Sequence, residues 1–293
     1  MAKGRELKNR MRAVGNTRKI TRTMELVATS KLKRSQDRVQ AARPYAAALS
    51  EVIADLINPE LALHFPLLRQ PAPPSKGGPK RAAVILLTAN RGLCGAFNAN
   101  LIREARRRIE ELEERGFMVD LHVIGKRGVG FFKYLGRPLA LARVDLSDRP
   151  SAEDAAAIVE PLIRDYSAGL LAGVDLVYPK FNSAVSTPPV VETILPVAPP
   201  SEGAARRPDY LLEPSAAEIL EGLLPLYVRN MVYRGLVEAV AGFYGSQRTA
   251  MKNATDNAGE LLNTLRRTYN RTRQAQITQE IAEIVGGAAA LQG

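Results

Sequence analysis

The sequence has little of the material from which disulfides, metal sites and membrane spans are built. Its 293 residues include one cysteine and two histidines. A single thiol forms no internal disulfide, and these three side chains do not supply the usual ligand set of a zinc site. The longest apolar runs, such as AAVILL, are far shorter than the roughly 20 residues that cross a bilayer. We therefore expect neither a metal site nor a membrane-spanning helix.

Aromatic residues are also scarce: tryptophan is absent, and aromatics make up 5% of the chain. Long helices rich in alanine fit this composition better than a large globular core, to which aromatic side chains contribute strongly. The first residues, MAKGRELKNRMRAV, are basic but lack the apolar core and cleavage site of a secretory signal. A location on the cytoplasmic side is the resulting expectation.

The net charge of +11 is concentrated near the start of the chain. Residues 1–40 contain twelve Lys and Arg against three Asp and Glu, a surplus of nine. Nucleic acid, an anionic membrane surface or an acidic protein would each fit this charge. Helices that bind nucleic acid usually bring aromatic side chains for stacking, and this segment has none before Tyr45. The pattern favours an acidic protein partner over nucleic acid.

Residues 3–57 are predicted to form one long helix with a coiled-coil seam. Steps of four and three residues, starting at Leu7 and ending at Leu56, meet mainly apolar positions. The polar exceptions are Arg18, Thr21, Glu25 and Ser35. Beside them runs a second apolar stripe, which indicates either a stutter or a contact beyond the partner helix; it consists of Ile20, Met24 and Val27. Pro44 predicts a kink or a break, and we expect a kink.

A second long helix is predicted from Ser215 onward, where Ser215 and Glu218 match a capping box. Pro225 predicts a bend, and residues 253–257 (NATDN) are poor helix formers that by composition alone fit a loop equally well. Small and apolar positions form a stripe that a partner helix could approach closely. The stripe consists of Ala250, Ala254, Ala258, Leu261, Leu262, Leu265 and Tyr269. The chain end, 281–291, is unusually apolar and predicts an enclosing partner.

Between the helices the sequence alternates strands and helices. Strands are predicted at 82–88, 117–124, 138–145, 174–181 and 190–195, and helices at 98–115, 126–135 and 151–171. This order predicts a small, mostly parallel, Rossmann-like sheet covered by helices. The fold class is α/β, with the two terminal helices paired as a long antiparallel coiled coil. The predicted segments are an N-terminal helix (1–57), a linker (58–80), a central α/β domain (81–196), a loop (197–214) and a C-terminal helix (215–293).

One loop, 88–98 (TANRGLCGAFN), follows a strand and precedes a helix, where a phosphate loop would lie. Its glycines do not have the spacing of a nucleotide-binding motif, so a tight turn is favoured. Cys94 is more plausible as a small packed residue than as a reactive thiol. His64 and His122 stand alone. We expect no catalytic residue and no cofactor.

Several ordered motifs carry a resemblance to one family. Near the start they are 16–21 (NTRKIT), 24–28 (MELVA) and 30–31 (SK); in the middle 91–95 (RGLCG) and 185–187 (VST); and near the end 250–258 (AMKNATDNA), 269–270 (YN), 273–280 (RQAQITQE) and 288–290 (AAA). Over its whole length the chain resembles the γ subunits of F-type ATP synthases. Because the resemblance starts at the first residues, it leaves no room for an organellar presequence and suggests a bacterial chain.

The resemblance implies a rotor shaft. In that family the antiparallel coiled coil turns inside a ring of α and β subunits, and the α/β body sits with the ε subunit on a membrane ring of c subunits. Rotation couples proton flow to ATP synthesis or hydrolysis at the β sites, while γ itself catalyses nothing. The subunit is peripheral, on the cytoplasmic face of the bacterial inner membrane. The resemblance also implies that residues 253–257 are helical.

The resemblance also assigns partner contacts. Met24 lies where the shaft meets β, with Ile20 and Val27 facing the ring. Arg273 and Gln274 match a polar contact with β. Asp209 and Tyr210 match the region near the c ring.

The chain departs from the family at Asn90, where an acidic residue is usual, at Pro225, and at the bulky residues of 242–245. Two other readings of the sequence stay open at this point. They are a stand-alone nucleotide-binding α/β enzyme, based on loop 88–98, and a basic coiled coil that binds nucleic acid.

Overall fold

The computed structural model describes residues 2–57, 64–70, 77–78, 80–198 and 215–291. In chain order the elements are α1 (Ala2–Leu56), a 3-10 turn (Pro66–Leu68), β1 (Arg81–Leu87), α2 (Phe97–Glu114), β2 (Met118–Ile124), α3 (Lys126–Tyr134), β3 (Leu141–Arg143), α4 (Ala152–Ser167), β4 (Val174–Pro179), β5 (Pro189–Leu195) and α5 (Ala216–Leu291). Two compact units share these elements. The terminal unit comprises Met1–Ala28 and Gln247–Gly293, and the central unit comprises Thr29–Ser246.

In the terminal unit α1 and α5 pack side by side in opposite directions. Gly15 faces Leu262, and Thr21 is hydrogen-bonded to Thr255. Residue numbers therefore rise along α1 as they fall along α5, which confirms the predicted antiparallel coiled coil. Along α1 the predicted seam is buried or half-buried throughout, apart from Arg18.

The seam of α5 differs from the predicted stripe. Leu262 is 8% exposed, but Leu261 is 41% exposed and does not belong to the seam. Neighbouring residues on a helix of 3.6 residues per turn point about 100° apart, so one seam cannot bury both. The buried positions follow steps of four and three residues; they are Met251, Thr255, Ala258, Leu262 and Leu265. Met251 and Thr255 were missing from the prediction.

The long helices continue through their unfavourable sequences. Pro44 lies within α1 and Pro225 within α5, so the alternative of a break in α1 is excluded. The Pro44 ring is exposed to solvent, where the missing hydrogen bond and the added bulk disturb no packed neighbour. Residues 253–257 are helical as well, because tertiary packing of the seam outweighs their low intrinsic propensity.

The central unit contains a five-stranded sheet with the order β3-β2-β1-β4-β5. The first four strands are parallel, and β5 pairs antiparallel with β4 at the edge. This confirms the predicted α/β fold with a mostly parallel sheet. The strand predicted at 174–181 ends at Pro179, and two other elements are shorter than predicted by a wider margin. The strand expected over 138–145 covers only Leu141–Arg143, and the helix expected to reach residue 171 ends at Ser167.

The central core lies on the face of the sheet that is covered by α4 and parts of both long helices. Ala83, Ile85 and Leu87 of β1 share one buried cluster with Ile53 of α1. The contributions of α5 and α4 are Leu220, Leu224, Val228, Val232, Leu236, Ile158 and Leu162. At Gly235 a Cβ atom would lie 2.8 Å from Leu176 Cδ2. Glycine therefore allows α5 to approach β4 closely.

Candidate partner-contact surface

The polar interruption of the seam is satisfied internally. Thr255 Oγ1 lies 2.8 Å from Thr21 Oγ1 and 2.8 Å from the Met251 carbonyl oxygen. The Thr21 hydroxyl in turn donates to the Arg18 carbonyl at 3.1 Å. Buried polar groups that are paired in this way fix the register of a coiled coil, because a shifted pairing would leave them without partners.

Glu25 also lies in the seam, and it is buried. Arg22 Nη1 lies 2.9 and 3.0 Å from its two carboxylate oxygens. A carboxylate at such a position requires a cation, since burying it alone would be costly. Arg22 provides such a cation from the preceding turn of the same helix.

The second apolar stripe of α1 faces solvent. Ile20 is 60% exposed, Val27 is 51% exposed, and Met24 is half-buried. Leu26, which the sequence reasoning did not single out, is 57% exposed on another side of the helix, about 100° from Val27. Large apolar side chains grouped on one exposed surface are typical of a protein-protein contact.

A second exposed apolar face lies near the end of α5. Its members recur four and three residues apart, which places them on one side of the helix; they are Ile277, Ile281, Ile284 and Val285. Arg273 and Gln274 are exposed in the turn before this face. Gly4 of α1 approaches Gln276, so these residues lie level with the start of α1 rather than with Ile20.

The predicted contact residues therefore form two groups rather than one. Ile20, Met24 and Val27 lie on the same stretch of α1 as Thr21, which pairs with Thr255. Arg273 and Gln274 lie farther along α5. Asp209 and Tyr210 fall outside the described residues.

A basic groove runs along the terminal unit between the two helices. It has a volume of about 1180 Å³, and one acidic residue, Asp256, contributes to its lining. The basic lining residues are Lys8, Arg12, Arg18, Lys19, Arg22 and Arg266. The sequence predicted the α1 members, but Arg266 joins them only through the pairing of the helices. The groove suits an acidic protein segment.

In the central unit the backbone N–H groups at the N-terminus of α3 donate hydrogen bonds to other residues of the chain. The first three N–H groups of the helix, 126–128, are all hydrogen-bonded within the chain. The acceptors are Asn90 Oδ1, the Ala89 carbonyl and Thr88 Oγ1, at 3.0, 3.2 and 3.0 Å. A free helix N-terminus attracts phosphate. At the N-terminus of α3, however, the N–H groups that would bind an anion already donate to other residues of the chain.

The local geometry explains why Gly125 and Asn90 occupy their positions. Gly125 has a φ of 103°, and a Cβ there would lie 2.1 Å from the Thr88 carbonyl oxygen, so only glycine fits. Asn90 Nδ2 donates to the Leu146 carbonyl at 3.1 Å while its Oδ1 accepts from Lys126. An ionised carboxylate could accept but could not donate, so the amide suits this position better than the usual acidic residue.

Cys94 and His122 both have shifted pKa values. Cys94 is buried, with Sγ 3.2 Å from Asn98 Nδ2, and burial raises the pKa of its thiol. Burial likewise lowers the pKa of His122 on β2, and no residue in the described part of the chain is hydrogen-bonded to its Nδ1. Both shifts favour the neutral forms.

Within the described ranges, no three His, Cys, Asp or Glu side chains are grouped closely enough to hold a metal ion. None of the helices described here combines the length and apolar character that spanning a membrane requires.

The chain is similar to known proteins over its full length. A family model described as ATP synthase matches residues 3–291. The ATP synthase gamma chain of Gemmatimonas aurantiaca is 62% identical over 296 residues, covering 100% of both chains. The ATP synthase gamma chain of Saccharopolyspora erythraea is 41% identical, covering 99% of this chain and 98% of its own.

Solved structures share the fold. A chain from the mitochondrial ATP synthase of Euglena gracilis, solved with its F1 part and c-ring, matches with a TM-score of 0.70 and 18% identity, covering 99% of this chain and 95% of its own. A chain from the central stalk and c-ring of the Tetrahymena thermophila enzyme matches with a TM-score of 0.59 and 24% identity, covering 80% and 99%. With the family model and the full-length identity, these findings show that the chain belongs to the ATP synthase gamma-chain family.

Proposed function

We propose that this chain is the central rotor shaft of an F-type ATP synthase. It couples proton flow through a membrane rotor to ATP synthesis or hydrolysis at the β-subunit sites. The observation that carries the proposal is the 62% identity over the full length to a bacterial ATP synthase gamma chain. The antiparallel pairing of α1 and α5 supports the same conclusion, because such a shaft needs two helices locked in register.

The proposed mechanism assigns different tasks to the surfaces of the terminal unit. The apolar face from Ile277 to Val285 would turn inside the ring of α and β subunits, where side chains without hydrogen bonds offer few directional contacts to break. The basic groove would face acidic segments of β. The paired hydroxyls of Thr21 and Thr255 lie in the seam, so rotation would leave the register of the helices intact.

The proposed contacts follow from these positions. Ile20, Met24 and Val27 would meet β with exposed or half-buried apolar side chains. Arg273 and Gln274 would form a polar contact with β, and Asp209 with Tyr210 would lie near the c ring.

We further propose that the chain is a non-catalytic subunit, since the ATP chemistry would take place in β. Its other partners would be the ε subunit and the c ring. The location that follows is peripheral, on the cytoplasmic face of the bacterial inner membrane. The surplus of positive charge on α1 suits an acidic protein partner, and the lack of aromatic residues before Tyr45 favours such a partner over nucleic acid.

The direct test is reconstitution with the α, β and ε subunits and the membrane sector. Membrane vesicles that lack the endogenous gamma chain should regain ATP-driven proton pumping when the complex is assembled with this chain. Mass spectrometry of the assembled complex should find it together with α and β. Vesicles that hydrolyse ATP without any pumping, although this chain is present in the complex, would contradict the rotor function.

The contact assigned to Met24 has its own test. Met24→Lys places a charge among exposed apolar side chains and should lower the number of protons pumped per ATP hydrolysed. Gln40→Lys adds the same charge at another exposed position of α1 and serves as the matched control. Equal pumping per ATP in the two variants would refute the assignment of Met24.

A further inference from the structure

In the central unit Asp148 is hydrogen-bonded to residues of both long helices and to the loop after β1. It lies in the segment between β3 and α4. Its carboxylate accepts a hydrogen bond from Lys31 Nζ of α1 at 2.8 Å and another from the Tyr244 hydroxyl of α5. Lys31 Nζ also lies 3.0 Å from the Tyr244 oxygen and 5.2 Å from the centre of its ring. One carboxylate therefore holds a residue from each long helix.

Two further contacts tie Asp148 to its surroundings. Arg38 Nη1 of α1 donates to the Asp148 backbone carbonyl at 3.1 Å. Arg91, in the loop after β1, places Nη2 3.4 Å from the carboxylate. The segment that carries Asp148 is anchored to the same loop by the bond from Asn90 to the Leu146 carbonyl. These contacts connect α1, α5 and the carboxyl end of β1.

The place of this cluster in the chain is distinctive. The central unit begins at Thr29 and ends at Ser246. Lys31 is thus close to the point where α1 enters the unit, and Tyr244 is close to the point where α5 leaves it. Tyr244 is buried, and its ring packs edge-on against Phe243, 5.0 Å between centroids. The cluster therefore holds both helices close to the ends of their segments in the central unit.

We propose that Asp148 is a positioning residue for torque transfer, fixing α1 and α5 to the sheet of the central unit so that helices and sheet turn together. This inference rests on the proposed rotor function. The hydrophobic effect is non-directional, whereas hydrogen bonds to a charged group depend steeply on distance and angle. Under torque, the contact between the helices and the sheet should therefore resist rotation mainly through these charged hydrogen bonds.

The first measurement is hydrogen exchange on the full-length chain. Asp148→Asn keeps the shape but removes the charge that gathers Lys31 and Arg91. Amides of 29–33 and 146–149 should exchange at least about tenfold faster, the lower end of what a hydrogen bond to a charged group contributes. Asp145→Asn is the matched control. It removes an Asp–Arg pair in the same segment, with Arg143, without touching either long helix, and should leave these amides unchanged.

The second measurement is coupling in the assembled complex. Asp148→Asn should retain ATP hydrolysis but pump fewer protons per ATP, Asp148→Glu should restore part of the loss, and Asp145→Asn should behave as the wild type. If Asp148→Asn does not assemble, Tyr244→Phe removes only the hydroxyl from the cluster and should show the same loss in milder form.

Faster exchange with unchanged coupling would make Asp148 merely structural and overturn the inference, as would an Asp148→Asn variant that matches Asp145→Asn in both measurements. Failure of the wild-type chain to support pumping would instead contradict the proposed function. The two failures are therefore distinguishable.

Discussion

The polar side chains in the seam bond back to the helices that carry them. Thr21 donates to the Arg18 carbonyl, and Ser35 donates to the Lys31 carbonyl at 3.0 Å. Thr255 reaches both the Met251 carbonyl and Thr21. A hydroxyl that keeps a backbone acceptor one turn away pays little for burial. The seam can therefore contain polar positions, and gain register from them, without a large loss of stability.

Valine substitutions test this view of the seam. Thr21→Val and Thr255→Val should each lower the free energy of unfolding by no more than about 1 kcal/mol, because the remaining hydroxyl keeps its backbone acceptor. The double variant should be at least as stable as either single one, since two apolar groups then face each other. Urea unfolding of the full-length chain measures all three. A double variant that is less stable than either single variant would contradict this expectation.

Asp148 predicts a specific response to acid. Burial opposes its ionisation, but the hydrogen bonds from Lys31 and Tyr244 prevail and hold the pKa of Asp148 below its ordinary value of 3.8. A carboxyl with a lowered folded pKa contributes stability above its unfolded pKa and loses that contribution as the pH falls through the folded pKa. The wild type should therefore exceed Asp148→Asn in stability at neutral pH, and the difference should shrink below pH 3.8. Urea midpoints across this range measure it; a difference independent of pH would exclude the ionised carboxylate as its source.

At the scale of elements, the helices differ in how well the sequence predicts them. Apolar residues at steps of four and three mark the seam of α1 clearly, and the capping box of Ser151 with Asp154 marks the start of α4. In α5 so many positions are alanine that several stripes fit, and the seam is decided by the partner helix. The end of α4 was predicted too late, although a glycine just after a helix is a usual sign of its C-terminus. In the structure Gly169 has the expected positive φ, 74°.

The contact residues are less predictable than the elements. Exposed apolar positions such as Ile20 could be found from spacing, since they lie off a visible seam. The cluster at Asp148 could not, because Lys31 and Asp148 are 117 residues apart and no local pattern links them. The sequence predicted the α1 part of the basic groove. Arg266 joins these residues only when α1 and α5 pack together.

The corrected seam of α5 is testable with two neighbouring leucines. Leu262→Ala removes a buried side chain and should cost about 2–5 kcal/mol of unfolding free energy. Leu261→Ala removes the same atoms from an exposed position and should cost well under about 1 kcal/mol. Chemical unfolding of both full-length variants decides the point. Equal losses would restore the stripe predicted from the sequence.

At the scale of the whole molecule, charge is distributed unevenly. Residues 1–40 hold a surplus of nine positive charges out of a net +11, so the rest of the chain is nearly balanced. In the central unit many arginines are paired with carboxylates, as Arg106 is with Glu110 at 3.4 Å. A long-range field from this chain therefore originates mainly at α1.

This asymmetry predicts how the chain associates with a ring of α and β subunits. The association rate should fall as salt rises, because the screening length shrinks from about 30 Å at 0.01 M to about 8 Å at 0.15 M. Arg12→Glu should lower the rate at low salt and flatten its salt dependence, whereas Arg106→Glu, the same change in the central unit, should do so far less. Stopped-flow mixing measures the rates. Equal effects of the two variants would place the attracting charge elsewhere.

The filled N-terminus of α3 has a consequence for the crowded solution in which such a subunit would work. Phosphate-bearing metabolites surround any ATP-producing enzyme, and sheets of this topology often bind them where a helix begins. Here Thr88, Ala89 and Asn90 already occupy the donors of that helix. The first three N–H groups of α3 are consequently not available to a phosphate group.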